Sequence, residues 1–530
     1  MTLQDTSDAA RPAHASPSRG VDPKWWTLAA VCLGTFMLLL DITVVNVALP
    51  DIQSELSATF SDLQWVIDAY ALTLAALLLT TGSLADLYGR RRLYLAGLVV
   101  FTGASALCGA AQSPLMLELS RGLQGIGGAA MFAVALALLA SAFRGQDRGV
   151  AFGIWGAITG VAVAVGPIVG GALVSGLSWR WIFFVNLPVG ALALVLTFLR
   201  VRESRDERAR RPDWVGFVLF TAALACLVYA LIESGRTGFS DGTVVGCFVA
   251  AGVLLLVFVL VELRSEHAMF DLRLFRLPTF VGGDIAAFGV SAGVFSVLLY
   301  LVLYLQDVLG YSALQTGVRM LILSGGILLV SGIAGRLSSR VPVRALIGPG
   351  LVVAGAGLLL MRGLTATSSW THLIPGLIVA GIGVGLINPP LASTAVGVVE
   401  PQRAGMASGI NSTFRQVGIA TGIALLGTLF SSRTHSEIVS RLAHVDGAKP
   451  YAGKIAGGLR SGEIGHVIGG LPANLRGPVG VAARGAFTAG LDHILLVAAI
   501  VALACGLLSL LLIRTKDFVS HESRSAGASH

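Results

Sequence analysis

The sequence predicts an all-α integral membrane protein with about fourteen transmembrane helices. Three observations carry that prediction. Hydrophobic residues make up 55% of the 530-residue chain and charged residues 12%, with a mean hydropathy of +0.80. A soluble globular protein carries about 25% charge, and half that leaves too little polar surface for water. Apolar runs of about 20 residues, the length that crosses a bilayer core, recur from end to end. The arginines gather in alternate connections between those runs.

Taken in order, the runs lie near 25–49, 63–84, 93–111, 115–142, 149–176, 180–199, 214–233 and 243–263. A second set lies near 280–305, 313–335, 343–362, 372–396, 404–431 and 488–513. The first is too long and too rich in interior polar residues for a cleaved signal peptide. Most of the 66 glycines fall inside these runs, where small residues let helices approach closely. Cys32, Cys108, Cys226, Cys247 and Cys505 sit in apolar stretches without paired spacing and read as small core residues.

With the N-terminus inside, about two dozen basic residues fall in cytoplasmic segments against about three in short outer loops. Both termini are then cytoplasmic, and the net charge of +8 is a topology signal, not a nucleic-acid footprint. Residues 432–487 form a long, Gly-rich outer segment whose charges carry no topological weight. The first 20 residues and the tail after Lys516 read as disordered.

Charge is scarce enough that intramembrane exceptions stand out. Asp41 in the first span lies about 24 Å from its start, in the outer half of the bilayer. Arg121 in the fourth span sits at matching depth. An arginine holds a neighbouring carboxylate ionised while burial opposes it, so a conformational change that alters either loads or releases a proton. A static pair pinning two helices is the other use of the same residues. Asp68 follows Trp65 in the second span, either as a substrate- or proton-binding acid or as a solvated helix-end acid. Trp65 and Tyr70 suit a cationic substrate or an interface anchor. Gln124, Asp284, Gln306, Asn388, Asn411 and Arg415 are candidate substrate-cavity residues; Asp284 and Arg415, together with Arg319, suit packing or gating equally. Asp284 stands too near the start of its span to be assigned a partner.

Two segments carry denser patterns. Gly82-Ser83-Leu84-Ala85-Asp86-Leu87-Tyr88-Gly89-Arg90-Arg91-Arg92 joins the second and third spans. An acid at a helix end, a glycine turn and three arginines can lock or release neighbouring helix ends; a basic loop that only fixes topology needs the arginines alone. The fifth span holds Gly153, Ala162, Gly166, Pro167, Gly170 and Gly171, a smooth helix face with a proline kink. No HExxH or Walker loop is present, so no catalytic or metal residue and no cofactor beyond a coupling proton is expected.

The loop at 82–92, with Gly82, Asp86, Gly89 and Arg90 in register, resembles the signature loop of the major facilitator superfamily. Leu87 departs from its usual basic residue. The Gly166-Pro167-x-x-Gly170-Gly171 ending resembles the motif of that superfamily's proton-coupled exporters. The segments around Asp41 and Arg121 resemble its fourteen-helix drug:proton antiporter branch. A weaker echo, Gly335-Arg336-Leu337-Ser338-Ser339-Arg340, fits an internal repeat, with Ser339 where the first copy has Asp86.

The resemblance implies a major facilitator fold of two six-helix bundles plus two inserted helices. Residues 1–24 are a cytoplasmic tail, 25–200 the first bundle and 201–270 the insert. Residues 271–515 are the second bundle, with the outer loop 432–487, and 516–530 a cytoplasmic tail. It further implies alternating access, with proton entry through Asp41, Arg121 and Asp68 driving lipophilic or cationic substrates out of the cell. Gly82, Asp86, Gly89 and Arg90 form a cytoplasmic gate, and the fifth-span glycines a sliding surface between bundles. The partners expected are small molecules and the bilayer, without nucleic acid, and the chain is expected to act as a monomer in the cell membrane. A dedicated exporter of one endogenous compound is the alternative; uptake symport and a non-transporting scaffold are less favoured.

Overall fold

The computed structural model describes residues 22–58, 60–205, 213–264, 272–338, 340–400, 404–445, 447–461 and 464–518. The expected disorder of residues 1–20 and the role of Ser339 lie outside them. Helices dominate because no water in a bilayer core satisfies backbone groups, so each segment must bond to itself. In chain order they are α1 Pro23–Leu56, α2 Phe60–Tyr88, α3 Arg90–Gly109, α4 Pro114–Ala142 and α5 Gly145–Gly176. The short α6 Trp181–Phe184 leads into α7 Asn186–Arg200, followed by α8 Trp214–Thr237 and α9 Gly242–Glu262. Then come α10 Pro278–Val290, α11 Ser296–Leu303, α12 Ala313–Leu337, α13 Arg344–Leu360 and α14 Ile374–Gly397. The chain finishes with α15 Ala404–Leu442, α16 Ala452–Ser461, α17 Ile464–Gly469 and α18 Ala473–Leu512.

The starts of several helices are set by local chemistry. Ser113 accepts from the Met116 N–H ahead of Pro114, Asp241 from Thr243 and Val244, and Ser312 forms a capping box with Gln315. Twelve helices are long and apolar enough to cross a membrane among the described residues. The expected count exceeds this at α5 and at the 17-residue α13, which fall outside that set of twelve.

The long outer loop expected at 432–487 is a correction. Helix α15 runs on to Leu442 over 39 residues, α18 begins at Ala473 and spans 40, and α16 and α17 lie between them. At 1.5 Å per residue each long helix reaches about 60 Å, twice a bilayer core. Hydrophobic burial explains the extension: Ile438, Leu442, Ile455, Leu471, Leu475 and Val479 close into one apolar cluster continuous with the span core. Apolar content below the spanning threshold hides such helices from a hydropathy reading.

One buried core gathers residues of α1–α5 and α7 and reaches Ala392, Val396 and Ala404; another gathers α10–α18. A third joins Phe217, Phe220 and Phe258 of α8 and α9 to Leu79 of α2 and Met406 and Ile410 of α15. The two helices between the halves in sequence therefore pack at the seam of α2 and α15, where the Thr80 and Thr221 hydroxyls bond at 2.8 Å. The ninth span, expected as one helix, is broken by π turns at Ser291–Phe295 and Tyr304–Val308. The Ser296 hydroxyl donates to Ser291 O at 3.0 Å and Ile419 O at 3.2 Å, which ties the first π turn to α15. Such turns concentrate at functional positions. The five cysteines are free, with Cys32 and Cys108 buried.

Candidate functional site

Five elements converge on Asp41. Its Oδ2 accepts from Arg121 Nη1 at 2.5 Å, and its Oδ1 accepts from Gln124 Nε2 and Asn186 Nδ2, both at 2.9 Å. Arg121 spends its other donors on the Val66 carbonyl at 3.1 Å and Gln124 Oε1 at 2.7 Å. Ser105 Oγ accepts from Gln124 at 3.2 Å and Asn186 at 2.9 Å, and donates to the Phe183 carbonyl at 3.1 Å. Asp41 is 1% exposed, Arg121 2% and Gln124 0%, so the ion pair has no water to fall back on. The expected Asp41–Arg121 pairing is present. Removing one member of a buried pair strands the other at about 3–5 kcal/mol, which is why the amides and serine complete the shell.

Two expected cavity residues belong to this network instead. Gln124 binds both charges, and the Tyr70 ring lies 4.2 Å from the Arg121 guanidinium, so its cation–π partner is internal. Asn186 and Ser105 were not singled out from sequence. The available signal for Asn186 is a lone amide at the head of an apolar run. Ser105 gives none, since serine is an ordinary small residue in such helices. Asp68 is half-buried on α2, and Trp65 stacks on Tyr229 of α8 with ring centroids 6.1 Å apart, facing the inserted helices.

A second constellation lies at the arginine-rich end. Asp86 accepts from Arg90 Nε at 2.9 Å and Nη2 at 2.7 Å, and from the backbone N–H groups of Gly405 at 3.0 Å and Met406 at 2.8 Å. The carboxylate thus caps the start of α15 from the end of α2, where the helix dipole favours negative charge. Gly82 permits the approach: a Cβ there would stand 3.2 Å from the carbonyl carbon of Gly405 and 3.3 Å from Gly409 Cα. Gly89 turns the chain at φ 112°, a left-handed conformation suited to glycine. Glu203, which the sequence reading missed, caps α3 by accepting from the N–H of Arg91 at 3.0 Å and of Arg92 at 3.2 Å.

The glycines of α5 meet three neighbours, with Gly156 facing Asn388 and Pro389 of α14. Near its start, Gly149 and Gly153 meet Gly335 of α12, and a Cβ on Gly153 would lie 3.1 Å from the Ser331 carbonyl. Farther along, Gly166 abuts the Thr43 side chain and Gly170 lies against Val44, both on α1 within one turn of Asp41. A Cβ on Gly171 would stand 4.0 Å from the Leu314 backbone nitrogen. The fifth-span glycines therefore do not share one face: Gly153 meets α12, whereas Gly166 and Gly170 seat α5 on the Asp41 helix. The Pro167 side chain lies outside the described ones.

In the later helices, Asn411 Nδ2 donates to Asp284 at 3.2 Å, giving Asp284 the partner that its position in the span did not suggest. Arg415 Nη1 reaches Asn388 at 3.5 Å, and its Nε and Nη2 are buried without partners. Gln306 is half-buried in the second π turn. Arg319 lies 3.6 Å from the Tyr311 ring and 5.0 Å from Trp370. Asp284, Asn388 and Asn411 are buried in helix contacts and do not line open space, since polar groups away from water turn to one another.

This arrangement of buried charge in paired helices belongs to a class of multi-pass membrane transporters. The model of the Major Facilitator Superfamily matches residues 31–423, and the chain belongs to that family. It is 41% identical to "Multidrug resistance protein Stp" of Mycobacterium tuberculosis over 77% of this chain and 76% of that one. It is 39% identical to "Puromycin resistance protein pur8" of Streptomyces alboniger over 83% of this chain and 89% of that one. It is 31% identical to the "Tetracenomycin C resistance and export protein" of Streptomyces glaucescens over 96% and 95%. The human organic anion transporter MFSD10 shares the fold at 15% identity, with a TM-score of 0.61 over 92% of this chain and all of that one.

Proposed function

We propose that the protein is a proton-coupled efflux antiporter that exports lipophilic or cationic drugs and antibiotics from the cell by alternating access. The observation that carries this reading is the buried Asp41–Arg121 pair with its amide shell. A carboxylate with no water contact and one arginine partner is a proton acceptor whenever the arginine withdraws. The seating of α5 on α1 beside Asp41, and of α5 on α12 through Gly149 and Gly335, links that proton to the approach of the two halves. The relatives named for drug and antibiotic resistance support outward transport of small molecules.

In this reading α5 and α13 also cross the bilayer, which gives fourteen crossings: six in residues 25–200, two in the insert and six in residues 271–515. The arginine-rich end is cytoplasmic, as are both termini, and the chain works as a monomer with the proton as its only coupling ion. Asp68 is the second carboxylate on the proton or substrate path. Asp86 latches the cytoplasmic end while the opposite end admits protons.

Asp41→Asn tests the reading: drug efflux driven by a pH gradient should vanish while the protein stays in the membrane. Undiminished proton-coupled efflux by this variant would overturn it. A narrower reading, export of one compound, is favoured by the relatives named for single antibiotics. A panel of cationic dyes and antibiotics, with and without a protonophore, separates the two by the number of compounds to which expression confers resistance.

A further inference from the structure

Asp284 of α10 and Asn411 of α15 form a buried pair unlike the one at Asp41. Asp284 is 2% exposed and Asn411 0%. The Asn411 amide donates to Asp284 Oδ1 at 3.2 Å. The other atom of each group, Asp284 Oδ2 and Asn411 Oδ1, is buried without a hydrogen-bond partner. Both are acceptors when the carboxyl is ionised. Each such orphan is costly, and an ionised carboxylate without a counter-charge is costlier still.

One proton on the carboxyl removes the uncompensated charge and supplies a donor where both orphans are acceptors. On Oδ2 it converts an orphaned acceptor into the donor that the Asn411 carbonyl lacks, while the amide N–H bond to Oδ1 stays in place. We propose that Asp284 carries a proton in this conformer, shared with Asn411 as an acid–amide pair, and is a further proton site of the transporter, distinct from Asp41 and Asp68.

The charges around α10 leave this pair to itself. Helix α14 contains no charged residue, and α13 has only Arg344, exposed at its first position. Arg273 and Arg276 precede α10 at the arginine-rich end. Arg514 and Asp517 lie at the same end, where the Arg514 carbonyl and the Asp517 carboxylate accept from the Thr279 hydroxyl. Within α18 the nearest charges in sequence, Asp492 and His493, lie toward the opposite end. From α15, Arg415 follows Asn411 by one turn and reaches Asn388 instead.

Beyond the pair α10 and α15 stay closely packed, since a Cβ on Gly418, about two turns past Asn411, would stand 2.8 Å from the Phe288 carbonyl. Asn411 lies less than two turns beyond Gly405 and Met406, the groups that Asp86 holds. A proton on Asp284 and the Asp86 cap therefore favour the same seating of α15. That coupling role rests on the efflux reading; the protonation itself does not.

Infrared difference spectroscopy on the purified, lipid-reconstituted full-length protein tests the assignment. At neutral pH the wild type should show the C=O stretch of a neutral, hydrogen-bonded carboxylic acid that shifts in heavy water. Asp284→Asn should lose that band, Asp41→Asn should keep it, and Asn411→Leu should move it to higher frequency. A wild type without the band, or an Asp284→Asn protein that retains it, overturns the proposal, and the wild-type spectrum decides even if a variant misfolds. Absence of drug efflux in the same preparation would sink the efflux reading and leave the band unchanged, so the two failures are distinguishable.

Discussion

The cap that Asp86 places on α15 lends itself to a quantitative test. Asp86→Ala removes an acceptor held by two backbone donors, Gly405 N–H at 3.0 Å and Met406 N–H at 2.8 Å. Each hydrogen bond to a charged group contributes a net of about 1.5–3 kcal/mol, so the two together contribute about 3–6 kcal/mol. At 1.36 kcal/mol per tenfold, that is a shift of roughly 10²- to 10⁴-fold toward conformers in which α2 and α15 part at the arginine-rich end. Asp86→Asn keeps an acceptor oxygen and loses the charge at the helix N-terminus, for a smaller shift of about tenfold. The assay is pulsed electron–electron spin resonance between labels at Tyr88 and Arg344, both exposed, with the five native cysteines replaced. Asp86→Ala should replace the short-distance population with a longer one, and Arg90→Ala should move it in the same direction. An unchanged distance distribution in Asp86→Ala would refute the idea that this carboxylate holds the two helices together.

Gly149→Leu should block closure against α12, where its side chain would meet the Gly335 carbonyl, while Gly103→Ala, with open space around it, should be silent. Efflux rate at matched membrane expression reads both. Asn186→Leu removes one of three donors to Asp41 and should lower stability by about 1.5–3 kcal/mol, seen as a reduced thermal unfolding midpoint. Gly166→Leu should push α5 off Thr43 and impair turnover or let protons leak, measured as dissipation of a pH gradient in proteoliposomes; tight, wild-type coupling would remove the packing argument.

The membrane class and helix order were legible because lipid imposes one rule on every span, a run of apolar residues long enough to cross. The Asp41–Arg121 pair was legible for the same reason, since charge in such a run is costly enough to require a use. Asn186 and Ser105 escaped notice because uncharged polar residues are common in spanning helices and only their convergence gives them meaning. Glu203 looked like one charge among many in a basic connection. The short helices α16 and α17 were hidden because neither is an apolar run long enough to be read as a span.

By itself the sequence determined the solvent, the order of the spans and which charged residues had to be functional or paired. It also marked the glycines as sites of close approach. Only the tertiary structure decided which helix each glycine serves: α12 for Gly149 and Gly153, α1 for Gly166 and Gly170. It alone joined Asp86 to Gly405 and Met406, more than three hundred positions away, and Asp284 to Asn411. The physical reason is range. Hydropathy is a property of each segment and its surroundings, whereas a hydrogen bond needs atoms within about 3 Å of one another, a condition only the folded chain can set.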